Sequence, residues 1–161
     1  MLRGMNARVG AVLLVVAIVL SSAPALADPS RPAIEDVRQP PSVATPESEY
    51  NRGIRARVAS DWAEAETAFR SALLLRPTFA EAWSELGYVL RTQGRYRESL
   101  DAYGEALRLR PEFPEALEYL GEAYVQLGRI DAARRILDRL RPLDPRRAAE
   151  LDEAIRQGRS R

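Results

Sequence analysis

Between residues 46 and 157, apolar side chains recur every three to four positions, the spacing that gathers them on one face of an α-helix. The clearest stretch runs from Ala80 to Leu109. Trp83, Leu86, Val89 and Leu90 share a face over Ala80–Gln93, and Tyr96, Leu100, Tyr103, Ala106, Leu107 and Leu109 share one over Arg95–Leu109. Gly94 separates the two segments and readily takes the left-handed conformation that ends a helix. Pro111 stops the second, because it has no N–H to donate. The pattern predicts a helical hairpin. Gly87, inside the first helix, is expected to lie opposite the small Ser99 and Ala102 and to let the two helices approach closely. A further stripe of Ala148, Leu151 and Ile155 predicts an amphipathic helix over Arg146–Gln157.

The first 45 residues have a different pattern. Arg3 and Arg8 precede an apolar run, Val9–Leu20, which is followed by Ser-Ser-Ala-Pro-Ala-Leu-Ala with Ala25 and Ala27 in A-x-A spacing. This is the layout of a secretory signal peptide over residues 1–27, with cleavage expected after Ala27. The run is short of the ~20 residues that span a bilayer. Extended to Ala27 it is longer, which leaves an uncleaved inner-membrane anchor as the alternative. Arg3 and Arg8 are not adjacent, which points to the general secretory (Sec) route and not the twin-arginine one. The expected location is the bacterial periplasm or the secreted fraction. Residues 28–45 hold Pro29, Pro32, Pro40 and Pro41 without helical or strand period, and are expected to form a disordered or polyproline-II linker.

The helical hairpin recurs. Pro77, Pro111 and Pro145 are 34 residues apart, and so are Gly53, Gly87 and Gly121. Ala65, Ser99 and Ala133 line up at the same offset, as do Phe69, Tyr103 and Leu137. A fixed period in this range signals stacked structural repeats. The second unit carries Trp83, Leu86, Gly87, Leu90, Ser99, Tyr103 and Pro111; the third carries Leu117, Leu120, Gly121, Tyr124, Ala133, Leu137 and Pro145. This resembles the tetratricopeptide repeat family, whose pattern is W-x2-L-G-x2-Y, A-x3-F and P over 34 residues. The first unit departs from it, with Glu49 and Arg52 in place of an apolar pair, which suits an end unit facing solvent. The expected fold is all-α: an α-solenoid of three helix–turn–helix repeats (46–79, 80–113 and 114–147) with a capping helix and tail over 148–161.

Composition narrows the function. The sequence has no cysteine, no histidine and, since every basic residue is arginine, no lysine. That removes a thiol nucleophile, cysteine-based metal sites, and the commonest general base and metal ligand. No acid–base–nucleophile constellation is present, so the reading is a non-enzyme without cofactor or metal. Basic and acidic residues nearly balance, which gives no case for nucleic acid. After cleavage no membrane insertion is expected.

The functional expectation comes from the resemblance. Family members bind a peptide segment or helix of another protein on the concave face, which the first helix of each unit lines. Carried over, that face takes Tyr50, Ile54, Arg57 and Val58 from the first unit, Ser84, Tyr88, Arg91 and Thr92 from the second, and Glu118, Glu122, Val125 and Gln126 from the third. Arginine and tyrosine are frequent binding hot spots. The groove is expected to be basic and aromatic at one end and acidic at the other, suited to a polar, partly extended segment. The asparagine–lysine clamp of chaperone-binding members is absent, so a C-terminal carboxylate is not the expected ligand. The leading reading is an interaction scaffold of an envelope complex, with a periplasmic assembly factor or chaperone as the alternative. Self-association is left open.

Overall fold

The computed structural model describes residues 43–158; the segments expected as signal peptide and most of the linker lie outside them. The described residues form seven helices: α1 (Pro46–Val58), α2 (Trp62–Leu75), α3 (Ala80–Thr92), α4 (Tyr96–Leu109), α5 (Pro114–Gln126), α6 (Ile130–Leu140) and α7 (Pro145–Gly158). The helices α1, α3 and α5 start 34 residues apart, so the sequence period is the structural period. Each odd helix of the repeats pairs with the even helix that follows it, each pair stacks on the next, and α7 packs on both α5 and α6.

One turn is built three times. Gly94 and Gly128 have φ of 78° and 68°, and Ser60, at the same offset, has φ of 59°. In each case the next residue's N–H returns to a carbonyl one turn back: Asp61 to Ala56 at 2.9 Å, Arg95 to Leu90 at 2.9 Å, Arg129 to Tyr124 at 2.8 Å. These left-handed caps satisfy carbonyls that the helix end would orphan. Ser60 adopts this conformation against the Cβ–carbonyl contact that disfavours it in non-glycine residues.

Close helix approach is set by the mid-helix glycines, and the nearest neighbour across the gap is a large side chain. A Cβ on Gly87 would lie 2.6 Å from the Tyr103 ring, and one on Gly53 2.6 Å from the Phe69 ring. In both units the atoms nearest the notch belong to an aromatic ring, which comes closer than Ser99 or Ala102 does at Gly87. In the third unit Leu137 stands at the ring position, and the notch at Gly121 is filled from elsewhere: its Cβ would meet Leu151 of α7 at 2.5 Å. The capping helix therefore completes the third unit's core, burying Ala148, Leu151 and Ile155 with Leu117, Leu120 and Leu140.

The two ends are closed by charge. At the first unit Arg52 bridges Glu49 and Glu64 where later units carry leucine. Along the array, Arg76 pairs with Glu47 and Arg110 with Glu81, and each guanidinium lies 4.5 Å over a phenylalanine, Phe79 and Phe113. The third unit has Asp144 where the arginine would be. Its carboxylate instead accepts from the N–H groups of Arg146 and Arg147, at 3.1 and 3.0 Å, and so starts α7. These bonds hold the Asp144 carboxyl below its ordinary range. The capping helix thus begins at Pro145, not at 148. Pro145 keeps the repeat register but opens α7, while Pro142 ends α6 three residues earlier than its counterparts. At the N-terminal boundary, Thr45, expected as the last linker residue, caps α1 through a reciprocal pair of bonds with Ser48.

Candidate functional site

The first helices of the three units form one face. Its centre is Tyr88 on α3, with the Arg57 and Arg91 guanidinium groups 5.2 and 5.3 Å from the ring centroid. Tyr119 of α5 lies against Tyr88, with ring centroids 5.3 Å apart. Tyr50 of α1 packs on Phe69 and Phe79 at 5.7 and 5.0 Å. The three tyrosines are half-buried, and among the described residues none of their hydroxyls is hydrogen-bonded.

Ion pairs cross this face from unit to unit. Arg57 of α1 meets Glu85 of α3 at 3.1 Å, and Arg91 of α3 meets Glu122 of α5 at 3.0 Å. Glu118 of α5 pairs with Arg147 of α7, which also reaches Glu115 at 2.9 Å. Burial pushes the Glu85 carboxyl above its ordinary range, and the nearby Arg57 only partly pulls it back. Burial, reinforced by the charges of Glu85 and Glu81, pushes the Tyr50 hydroxyl up to about 12. Burial and then Glu85 raise Tyr119 as well. Both phenols therefore stay protonated and able to donate across the physiological range.

The structure brings together Tyr50, Ile54, Arg57, Tyr88, Arg91 and Glu122, but changes what several of them offer. Ile54 packs into the core beneath the face. Ser84 is only 2% exposed, so its short side chain does not present itself to a ligand. Glu118 is 6% exposed and is held by Arg147, so it is an internal staple and not a free acid. The expected division into a basic end and an acidic end does not exist, because Arg57, Arg91 and Arg147 each have a carboxylate on a neighbouring unit. Of the flanking positions, Val58 and Gln126 are exposed, Thr92 donates its hydroxyl to the Tyr88 carbonyl, and Val125 would touch a Cβ placed on Gly158.

Sequence reasoning misses Glu85, Tyr119 and Arg147. Glu85 and Tyr119 share one repeat offset, and each lies three residues before a predicted groove position, Tyr88 or Glu122. That spacing places them on the same helical face and is the signal that could find them. Arg147 has no comparable signal, because it comes from the capping helix and not from a first helix of a repeat.

Three stacked hairpins with a tyrosine- and arginine-bearing inner face define a helical-repeat module. Two family models, both described as tetratricopeptide repeat, match residues 50–101 and 90–157. The chain belongs to the tetratricopeptide repeat family, whose repeats are generally non-catalytic interaction modules. No curated protein matches it significantly in sequence. Among solved structures it is similar to the TPR2B domain:pHsp70 complex of yeast Sti1, at 21% identity and a TM-score of 0.67, covering 71% of this chain and 96% of that one. It is also similar to the Arabidopsis OM64 TPR domain, at 17% identity and a TM-score of 0.66, covering 70% and 94%. The TPR2AB domain:pHSP90 complex of yeast Sti1 gives 21% identity and a TM-score of 0.66, covering 70% of this chain and 46% of that one. At these identities the likeness concerns the fold. Among the described residues no group of acidic side chains is placed to hold a metal ion.

Proposed function

We propose that this protein is a non-enzymatic interaction scaffold of the bacterial envelope that holds an extended segment or helix of a partner protein on the face formed by α1, α3 and α5. The observation that carries the reading is the convergence of Tyr50, Tyr88 and Tyr119 from three successive units on one surface. Stacked hairpins of this kind curve and make that surface concave. Half-buried tyrosines supply contact area at low cost in side-chain entropy and keep a polar tip for orientation. Two of the structurally similar yeast domains carry pHsp70 and pHSP90 in their complexes, which supports a peptide as the kind of ligand this fold holds. With no lysine in the sequence, the asparagine–lysine clamp of chaperone-binding family members has no counterpart here.

The envelope setting rests on the sequence layout of residues 1–27. N-terminal sequencing of exported protein should find Asp28 first; Met1 retained in a membrane fraction would instead make this a tethered scaffold. The binding reading is tested by affinity purification from envelope extract. Tyr88→Ala should reduce recovery of the co-purifying protein at least tenfold, whereas an Arg70→Ala/Arg108→Ala pair on α2 and α4 should leave it unchanged. Equal loss from both would place the binding surface elsewhere.

A further inference from the structure

The pairing of charges on the inner face bears on the chemistry of its ligand, and the inference rests on that face being the binding surface. The face carries three ion pairs, Arg57–Glu85, Arg91–Glu122 and Arg147–Glu118, each joining different helices. Two of the guanidinium groups also lie against the Tyr88 ring. An acidic ligand would have to pull Arg57 or Arg91 from its carboxylate and then leave Glu85 or Glu122 unpaired in a half-buried site. A basic ligand would face the reverse cost. Stripping one partner from a desolvated pair costs more than the new pair returns. An uncharged ligand breaks nothing.

Arg57 Nε, Ser84 Oγ, Glu85 Oε2 and Arg91 Nε also lack a hydrogen-bond partner, but they are buried; the unpaired capacity that reaches the surface lies in the tyrosines. Tyr50, Tyr88 and Tyr119 each keep a hydroxyl without a partner among the described residues. A chain in polyproline-II conformation has no internal hydrogen bonds, so its carbonyls are open to such donors. Its preformed shape lowers the entropic cost of binding. We infer that the ligand of the α1–α3–α5 face is an uncharged, proline-rich extended segment of the partner protein, read by the phenol hydroxyls of Tyr50, Tyr88 and Tyr119.

The test uses the full chain labelled with nitrogen-15 and three short peptides: repeating Pro-Pro-Ala, and the same sequence with glutamate or with arginine at every third position. The neutral peptide should shift the amide resonances of Tyr50, Tyr88 and Tyr119. Its affinity should change less than about twofold between low and high salt, because no charge pair is exchanged. Tyr50→Phe, Tyr88→Phe and Tyr119→Phe keep each ring and remove only its hydroxyl, so folding is preserved. Each should weaken the neutral peptide by roughly three- to tenfold, the worth of one hydrogen bond. Tighter binding of a charged peptide to the same residues, weakening with salt, would overturn the neutral-ligand inference and leave the inner face as the binding surface. Shifts confined to another surface, such as the hollow lined by Leu73, Leu74 and Trp83, would overturn both. No shift with the neutral peptide at millimolar concentration would overturn the neutral-ligand inference alone.

Discussion

The notch at Gly87 gives the sharpest energetic prediction. Replacing Gly87 by alanine in a helix interior should, by propensity alone, stabilise the protein by about 1 kcal/mol. Here the new Cβ would lie 2.6, 2.7 and 3.0 Å from three atoms of the Tyr103 ring. That ring has no solvent exposure, so it cannot swing aside. Overpacking a rigid core costs typically 1–3 kcal/mol, and ring contacts this short put the cost in the upper part, about 2–3 kcal/mol. The net expectation is destabilisation by about 1–2 kcal/mol, a fall in melting midpoint of roughly 4–8 °C for a domain of this size. Gly104→Ala is the control: nothing lies within 4 Å of its Cβ, so it should gain up to about 1 kcal/mol. The assay is urea denaturation of the four members of a double-mutant cycle with Tyr103→Ala. Without the ring, Gly87→Ala should turn stabilising, giving a coupling energy of about 2–3 kcal/mol. If Gly87→Ala stabilises as much as Gly104→Ala, or if the coupling is near zero, the ring-in-notch account is wrong.

Other perturbations test separate parts of the structure. Ser60→Gly should stabilise by about 0.5–1 kcal/mol, since it relieves a left-handed non-glycine residue at a turn where the other two units use glycine, and thermal denaturation reads this directly. Arg147→Met leaves the buried Glu118 side chain without its partner; stability should fall by about 3 kcal/mol, and Glu118→Gln in that background should restore much of it. Glu85 has a folded-state pKa raised above the ordinary glutamate value of 4.5, so its ionised form penalises the native state at neutral pH, and the penalty is relieved as pH falls through the raised value. The stability of Glu85→Gln relative to wild type should therefore be most favourable at neutral pH and decline as pH falls toward 4.5. A difference independent of pH would contradict the assigned burial.

The three hairpins are legible in the sequence because their signals are local and repeated. Proline and glycine punctuation, helical spacing of Leu86, Val89 and Leu90, and a 34-residue offset all point the same way, and such agreement between levels is what makes a fold readable. The partner of Gly87 is not legible, because sequence offset does not say which side chain of the facing helix projects into a notch. The large Tyr103 comes nearest to it, ahead of the small Ser99 and Ala102. The start of α7 is ambiguous because Pro145 has two opposite meanings: it cannot continue one helix, yet it suits the first turn of another. Asp144, in the place of Arg76 and Arg110, is the residue that distinguishes them.

The inner face is legible as a position and not as an electrostatic surface. Arg57, Tyr88 and Arg91 follow from repeat offsets, but their neutralisation does not. Glu85 and Glu122 are on other units, at separations that only the stacking geometry brings to about 3 Å. For this reason an Arg57→Glu/Arg91→Glu pair is a poor probe of binding. It would set like charges against Glu85 and Glu122 and weaken the contacts between units along with any ligand contact.

The most direct test of the central claim, that α1, α3 and α5 present the partner-binding face, is site-specific photo-crosslinking in envelope extract. A benzophenone amino acid placed at position 88, on the inner face, should yield a discrete crosslinked partner. The same group at position 108, on the exposed flank of α4, should yield none. Crosslinking of that partner from position 108 with none from position 88 would contradict the account.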